Sequence, residues 1–462
     1  MGEGAGATAA PAGRAPLTCD QLRREVAAGE IDTVVVAVTD MQGRLQGKRV
    51  AAPFFLTEVA RHGCDACTYL LAADVEMTPA AGYAMASWEQ GYGDFVIRPD
   101  LRTLRRLPWH AGTALVLGDL AWQDGSAVSV SPRQVLRRQL ARLAERGWTA
   151  MAATELEFIV FRDTYEEAWR RGYRDLTPGT PYNADYSLLG TSPAEPLLRR
   201  IRLEMAGAGL TVESAKGECH PGQHEIVFTY ADALTTADNH VVYKSGAKEI
   251  AAQAGCSLTF MAKFDGREGN SCHIHLSLRD PEDEPVFCDA SGAWSTAFEH
   301  VLAGQLACLP ELTLLLAPNV NSYKRFAGGS FAPTRVAWGR DNRTCALRVV
   351  GAGRSLRLEH RVPGGDANPY LALAALLAAG LHGLEQGLPL PPELRGNAYA
   401  SPGEELPRSL TEAVDRFARS GVAREAFGDD VVDHYTTMGQ VELATFGSAV
   451  TDWERVRGFE RL

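Results

Sequence analysis

No block of basic residues runs anywhere in this chain of 462 residues, and its net charge is −11. That argues against a nucleic-acid-binding surface. No apolar run is long enough to cross a bilayer. The longest, Leu371 to Leu381, falls well short of the ~20 residues required and reads as a buried helix, so no membrane partner is expected. The opening string M-G-E-G-A-G-A-T-A-A-P-A-G has no apolar signal core, and residues 1–16 are expected to form a disordered leader. A regular cysteine framework is missing too. The nine cysteines are scattered and odd in number, which favours a reducing cytoplasm over secretion. Cys64 and Cys67 make one C-x-x-C, but a zinc ribbon needs a second pair at matching spacing, and none exists. Two free thiols is the simpler reading. What remains is an ordinary globular composition, 45% apolar and 22% charged, with length for two or three domains.

The first segment reads as strand-rich. Thr33 to Val38 is β-branched and continuous, Asp40 to Gly43 is a turn, and Gly47 to Ala51 returns, so the pair predicts a hairpin. Phe54 to His62 reads as a helix ended by Gly63, and Thr113 to Leu117 as another strand. Residues up to about 125 therefore form a small α+β unit. Ser131, Pro132 and Gly147 then punctuate a helix in which Val135, Leu136, Leu140 and Leu143 recur at helical spacing. A strand is predicted from Ala150 to Phe161, and helices and strands alternate beyond it. Helices are expected over Pro193–Ala206, Ala231–Ala254, Pro369–Gln386 and Val431–Phe446. Strands are expected near Leu210 and Glu225 and from His273 to Leu278.

Six residues carry the chemistry: Glu155, Glu157, Glu218, Glu225, His273 and Glu359. They lie in T-E-L-E-F, E-C-H-P-G-Q-H-E, N-S-C-H-I-H-L-S and R-L-E-H-R. On a strand, residues i and i+2 share a face, so Glu155 projects with Glu157, His273 with His275, and Arg357 with Glu359 and Arg361. Two carboxylates on one face of a buried strand repel and are costly to desolvate unless cations compensate. An exposed, salt-bridged face is the bland alternative for Glu155 and Glu157 alone. It weakens once the other carboxylates and H-x-H are added. Five carboxylates and one imidazole look like ligands for two hard divalent cations, Mg²⁺ or Mn²⁺. H-x-H by itself is more often structural, or part of a zinc pair.

Arg325, Arg343, Arg348, Arg354, Arg357 and Arg361 follow, beside Asn321, Tyr323 and Asn342. Guanidinium forks match phosphate and carboxylate oxygens. A solvated basic face is the alternative, but R-V-A-W-G-R-D-N-R-T-C-A-L-R-V-V interleaves arginine with apolar strand residues, which suggests side chains directed into a cleft. Metals beside arginines point to ATP-dependent chemistry.

These strings, with G-Y-G-D-F-V-I-R-P-D, N-S-Y-K-R-F and R-L-E-H-R-V-P-G-G-D-A-N-P-Y, resemble the glutamine synthetase family and keep its order along most of the chain. The resemblance implies an α+β fold: an N-terminal β-grasp domain over 17–125 and a catalytic domain over 126–462 built on an antiparallel sheet. It implies a homo-oligomer, a dodecamer of two hexameric rings, with active sites shared between subunits. Glu157, Glu218 and Glu225 would hold the metal near the glutamate substrate. Glu155, His273 and Glu359 would hold the metal near the ATP phosphates. Glu213, His275, Ser277, Arg343, Arg348 and Arg354 match ATP contacts, and Gly269, Arg325, Arg343 and Arg361 match glutamate contacts. Asp94 matches the carboxylate that a neighbouring subunit brings to the incoming amine. The implied reaction activates the glutamate γ-carboxylate as γ-glutamyl phosphate, which an amine then attacks.

The chain departs from the family pattern where ammonium would bind. Phe331 stands at the flap glutamate's position, in A-G-G-S-F-A-P. Ala111 stands near a second carboxylate's position, and Glu268 replaces an asparagine before the glutamate-binding glycine. An ammonium site needs compact negative charge, which Phe331 and Ala111 do not supply. The expected acceptor is therefore a small, singly charged organic amine, with ethanolamine the best candidate. A polyamine is the runner-up and ammonia third. A catalytically silent structural or regulatory oligomer is the competing class, opposed by retention of all six metal ligands. Tyr399 falls near the family's adenylylated tyrosine, but its neighbours differ. It reads as an exposed loop tyrosine, with no adenylylation predicted.

Overall fold

The computed structural model describes residues 17–462, so the expected leader over 1–16 lies outside the described residues. The first sheet comprises β1 (Thr33–Thr39), β2 (Leu45–Ala51), β3 (Cys64–Cys67), β4 (Asp94–Pro99), β5 (Arg105–Arg106) and β6 (Thr113–Ala121). Their order is β2-β1-β6-β4-β3, with β5 added beside β6. The predicted hairpin forms between β1 and β2, with Thr33 opposite Ala51 and Thr39 opposite Leu45. Asp40 caps its turn by accepting from the backbone N–H groups of Gln42 and Arg44, the local bonding that suits aspartate to turns. β1 runs parallel to β6, while the other pairs are antiparallel, as in a β-grasp arrangement. Cys64 and Cys67 sit at opposite ends of β3, about 10 Å apart on an extended strand. That is too far for a disulfide, and both are free thiols.

The second sheet comprises β7 (Thr149–Phe161), β8 (Val212–Gly217), β9 (Gln223–Phe228), β10 (Ala231–Asp232), β11 (Ser257–Thr259), β12 (Cys272–Arg279), β13 (Trp338–Arg340), β14 (Leu347–Val350) and β15 (Arg357–His360). Its order is β13-β14-β15-β12-β7-β9-β8, with β10 and β11 also on β7. It is antiparallel as expected except between β13 and β14, which run parallel.

Local chemistry explains most boundaries and corrects some. The helix Pro132–Ala144 begins after Ser131, but the Ser131 hydroxyl makes no capping bond. Its carbonyl instead accepts from Val135, and Pro132 fits the first turn because no N–H is needed there. The helix expected from Ala231 starts at Ala233, because Ala231 and Asp232 pair with β7 and the Asp232 carboxylate caps the first turn. Phe54–His62 is helical as expected, from Ala52 to His62, with a wider π-turn at Phe55–Val59. A helix over Thr296–Leu316 was not anticipated. It is buried on nearly every side, so it lacks the one-sided apolar stripe by which helices are recognised. It crosses the expected helix Pro369–Gln386 with Gly304 against Gly383. A Cβ on Gly304 would lie 2.2 Å from the Ala379 carbonyl oxygen, so this crossing requires glycine.

Buried polar contacts fix the first sheet to the rest. Arg133, 3% exposed, bonds Asp100 at 2.9 Å, Asp119 at 2.7 Å and Asp238 at 2.9 Å. The Tyr370 hydroxyl donates to Asp238 at 2.6 Å. Asn368 donates to the carbonyls of both Asp40 and Met41 at 3.1 Å. Together these hold the turn after β1 against the start of the Pro369 helix.

Candidate active site

Sheet register assembles the site. β7 runs at the centre, with Glu155 opposite His273 on β12 and Glu157 opposite Glu225 on β9. On the far side of β12, His275 stands opposite Glu359 on β15, and Arg348 on β14 stands opposite Glu359 as well. Directly paired residues share a face, so the charged residues form one row across five strands.

The row resolves into two clusters. Glu157, Glu218 and Glu225 offer oxygen atoms within 4.8 Å of one another. Burial, then the Coulomb repulsion of Glu155, Glu157 and Glu218, pushes the Glu225 carboxyl up to about 9. Burial and the Glu157 charge push Glu218 up to about 7. Carboxylates this crowded call for a cation, and an all-oxygen set fits Mg²⁺ or Mn²⁺. Lys216, missed from sequence, meets part of that demand. Its ammonium donates to Glu218 and lies 3.8 Å from Glu225. Glu157 is oriented by two further donors, the Ser271 backbone N–H at 2.7 Å and the Gln223 amide at 3.1 Å.

In the second cluster Glu155, His275 and Glu359 offer atoms within 4.8 Å of one another. His273 Nδ1 lies 3.3 Å from Glu155 and 3.7 Å from Glu359, so both histidines reach this cluster. Arg357 donates to His275 Nδ1 at 3.2 Å, which leaves the proton on Nε2 for donation to Glu155 at 2.9 Å. Burial works to raise the Glu155 carboxyl, but hydrogen bonds from His273 and His275 outweigh it and hold it far below the usual carboxylate range. Burial likewise opposes ionisation of Glu359, and the electrostatic pull of His273, Arg361, His275 and Arg348 outweighs it. Arg348 bonds Glu359 at 2.7 Å, and Arg361 donates to the same carboxylate.

A cavity of about 490 Å³ opens beside the second cluster, lined by Glu155, Glu213, His275, Ser277, Arg354 and Arg357 among others. The expected ATP contacts therefore converge there in part. Arg354 meanwhile pairs with Asp283 at 3.0 Å and Glu284 at 2.8 Å. Arg343 is exposed on the loop before β14. Arg325 is 3% exposed and donates to the carbonyls of Arg361, Val362 and Pro363. Burial lowers it to about 10, with Glu157 opposing that shift. Gly269 packs against it. A Cβ there would lie 2.1 Å from the Ala262 carbonyl oxygen and 3.1 Å from Arg325 Cγ.

The expected amine-side residues are less gathered. Glu268 is exposed. Phe331, 57% exposed, sits at φ +57°, and its carbonyl accepts from Arg361 at 3.4 Å. Asp94 is exposed at the start of β4. Ala111 lies in a loop groove with Glu25, Arg106 and Leu203. Among the described residues, neither Asp94 nor Ala111 bonds to the two clusters through its side chain. Tyr399, expected to be an exposed loop residue, is half-buried, and its hydroxyl donates to the Ala332 carbonyl at 3.0 Å.

Residues 129–457 match the family model described as glutamine synthetase, catalytic domain. The chain is 63% identical to a gamma-glutamylethanolamide synthetase, GlnA4, of Streptomyces coelicolor, over 97% of this chain and 96% of that protein. It is 38% identical to a glutamate–isopropylamine ligase of a Pseudomonas species, over 92% of this chain and 95% of that protein. A solved structure of GmaS in complex with ADP superposes with a TM-score of 0.82 at 28% identity, covering 95% of this chain and 99% of that one.

Proposed function

We infer the reaction from one premise: the chain belongs to the glutamine synthetase family. Enzymes of that family are ATP-dependent ligases that use divalent metals. We propose that this one joins the γ-carboxylate of glutamate to ethanolamine through γ-glutamyl phosphate, releasing ADP and phosphate. The observation that carries the reading is the 63% identity, over 97% of this chain, to a gamma-glutamylethanolamide synthetase. Phe331 and Ala111, which bring no negative charge to the amine side, favour it over ammonia. A second reading, ligation of a bulkier monoamine, draws on the likeness to an isopropylamine ligase.

In this proposal Glu157, Glu218 and Glu225 hold one Mg²⁺ or Mn²⁺ on the glutamate side, and Glu155, His273 and Glu359 hold the other on the nucleotide side. The two metals supply positive charge against the transferring phosphoryl group. Glu213, His275, Ser277, Arg348 and Arg354 hold ATP. Gly269, Arg325 and Arg361 would hold glutamate, with Gly269 letting Arg325 and the Ala262 carbonyl pack closely beside it. Arg343, exposed on the loop before β14, would contact both substrates and stabilise charge that gathers at the γ-phosphate. Asp94 takes the proton from the incoming ammonium group, because only the neutral amine attacks. It would act across a subunit boundary of a homo-oligomer, the dodecamer of two hexameric rings that the family resemblance implies, and its exposed position leaves it free to face a neighbour. Nine free cysteines suit a reducing cytoplasm. We place the domain division at 125/126, a reading supported by a family match that starts at residue 129.

Incubation of the purified protein with ATP, Mg²⁺, glutamate, ethanolamine and an equal concentration of ammonium chloride, followed by mass analysis, tests the reading. The expected products are γ-glutamylethanolamide and ADP. ADP formation with only glutamine, made from ammonia in the same mixture, would overturn it.

A further inference from the structure

The strap that carries Phe331 is held by very little. Its residues 327–332 contain no helix or strand. Phe331 itself sits at φ +57°, a left-handed conformation that is strained for a bulky side chain. Such strain persists only where surrounding bonds impose it. Beyond the local bonds of Ala327 and Ser330 to the Arg325 carbonyl, two bonds among the described residues reach the strap. One is the weak donation from Arg361 to the Phe331 carbonyl at 3.4 Å. The other is the Tyr399 hydroxyl, which donates to the next carbonyl, that of Ala332, at 3.0 Å.

Tyr399 is in turn well anchored. It lies in a single turn, Ala398–Ala400, whose first N–H donates to the Thr344 hydroxyl at 3.0 Å. Thr344 donates to Asn342 at 2.7 Å, and the Asn342 amide donates back to the Gly396 carbonyl at 2.8 Å. Asn342 and Thr344 flank Arg343. Tyr399 thus ties the strap to the loop that carries Arg343. Burial pushes its phenol up from the ordinary value against the lowering pull of Arg361 and Arg325, so it stays a hydrogen-bond donor.

We propose that Tyr399 is a positioning residue for amine selection: its hydroxyl latches the 327–332 strap so that Phe331 holds one place at the mouth of the amine site. This rests on the reading of Phe331 as an amine-side residue. With the latch intact, the strap discriminates between ethanolamine and ammonia and shields the activated acyl group from water. Without it, Phe331 samples several places and both functions relax.

Y399F removes the hydroxyl and keeps the ring. The expected result is a change of about fivefold in the kcat/KM ratio of ethanolamine to ammonia, the size one neutral hydrogen bond supplies. Glutamate-dependent ATP hydrolysis without amine should rise, while the glutamate KM and thermal midpoint stay as in the wild type. Chymotrypsin should also cut faster after Phe331 in Y399F. An unchanged ratio and unchanged cutting would overturn the proposal. So would a parallel fall of both amine activities with a lowered thermal midpoint, which marks a purely structural tyrosine. Because the readout is a ratio, it decides the latch even if the wild type prefers ammonia, a result that would instead defeat the ethanolamine reading.

Discussion

Glu225→Gln should make the metal-free protein more stable at pH 8 and nearly unaffected at pH 5. Glu225 is 5% exposed, and its carboxyl rises from an ordinary 4.5 to about 9. The folded state therefore keeps a proton that the unfolded chain loses above pH 4.5. This contribution to stability is fully present below pH 4.5 and is lost progressively as pH rises to about 9. At pH 8 the loss reaches roughly 5 kcal/mol, from 3.5 pH units at ~1.4 kcal/mol each. That figure is an upper bound, since Lys216 can shift toward the cluster and water can enter. Glutamine has nearly the same shape and no charge to lose, so a gain of ~2 kcal/mol or more is expected in EDTA at pH 8. Mg²⁺ reverses the comparison: it should raise the wild-type thermal midpoint far more than that of the variant, because binding requires the ionised ligand. Thermal melts at pH 5 and pH 8, each with EDTA or Mg²⁺, give all four values. A variant less stable than wild type in EDTA at pH 8, or one with an undiminished Mg²⁺ shift, would refute the electrostatic account of the cluster.

Phe331→Glu restores a carboxylate to the strap and should shift the ratio of ammonia to ethanolamine kcat/KM toward ammonia by about tenfold, the effect of ~1.4 kcal/mol of differential binding; amine-dependent phosphate release measures it. Gly269→Ala puts a methyl group 2.1 Å from the Ala262 carbonyl oxygen. It should raise the glutamate KM by at least tenfold through displacement of Arg325, with a smaller effect on the ATP KM, as initial-rate kinetics would register. Arg133→Met leaves Asp100 and Asp238 buried beside each other without their shared cation, and should cost about 3–5 kcal/mol of stability, seen as a lowered thermal midpoint in wild-type buffer.

The carboxylate and histidine row was legible because strand parity and spacing depend only on local sequence. Glu155 with Glu157, and His273 with His275, had to share faces once their segments were strands. Which cluster each histidine joins was not legible in that way, since it depends on the pairing of β12 with both β7 and β15 and on side-chain direction. Lys216 escaped notice because a lysine near the end of an edge strand reads as solvated, and its partners come from β9 and the following turn. The Thr296–Leu316 helix was missed because a helix buried all round has no polar face to mark its period. Tyr399 looked exposed because its segment is polar and irregular. Only the fold brings the Ala332 carbonyl to its hydroxyl. The amine side as a whole was the least legible part, because Asp94 lies on the first sheet and Ala111 in the loop before β6, both apart from the carboxylate row.

Competition between amines tests the central claim most directly. The wild-type enzyme, supplied with ATP, Mg²⁺, glutamate and equal concentrations of ethanolamine, isopropylamine and ammonia, should form γ-glutamylethanolamide as its main product, with glutamine a minor one. Glutamine as the main product, with no γ-glutamylethanolamide detected, would contradict the account.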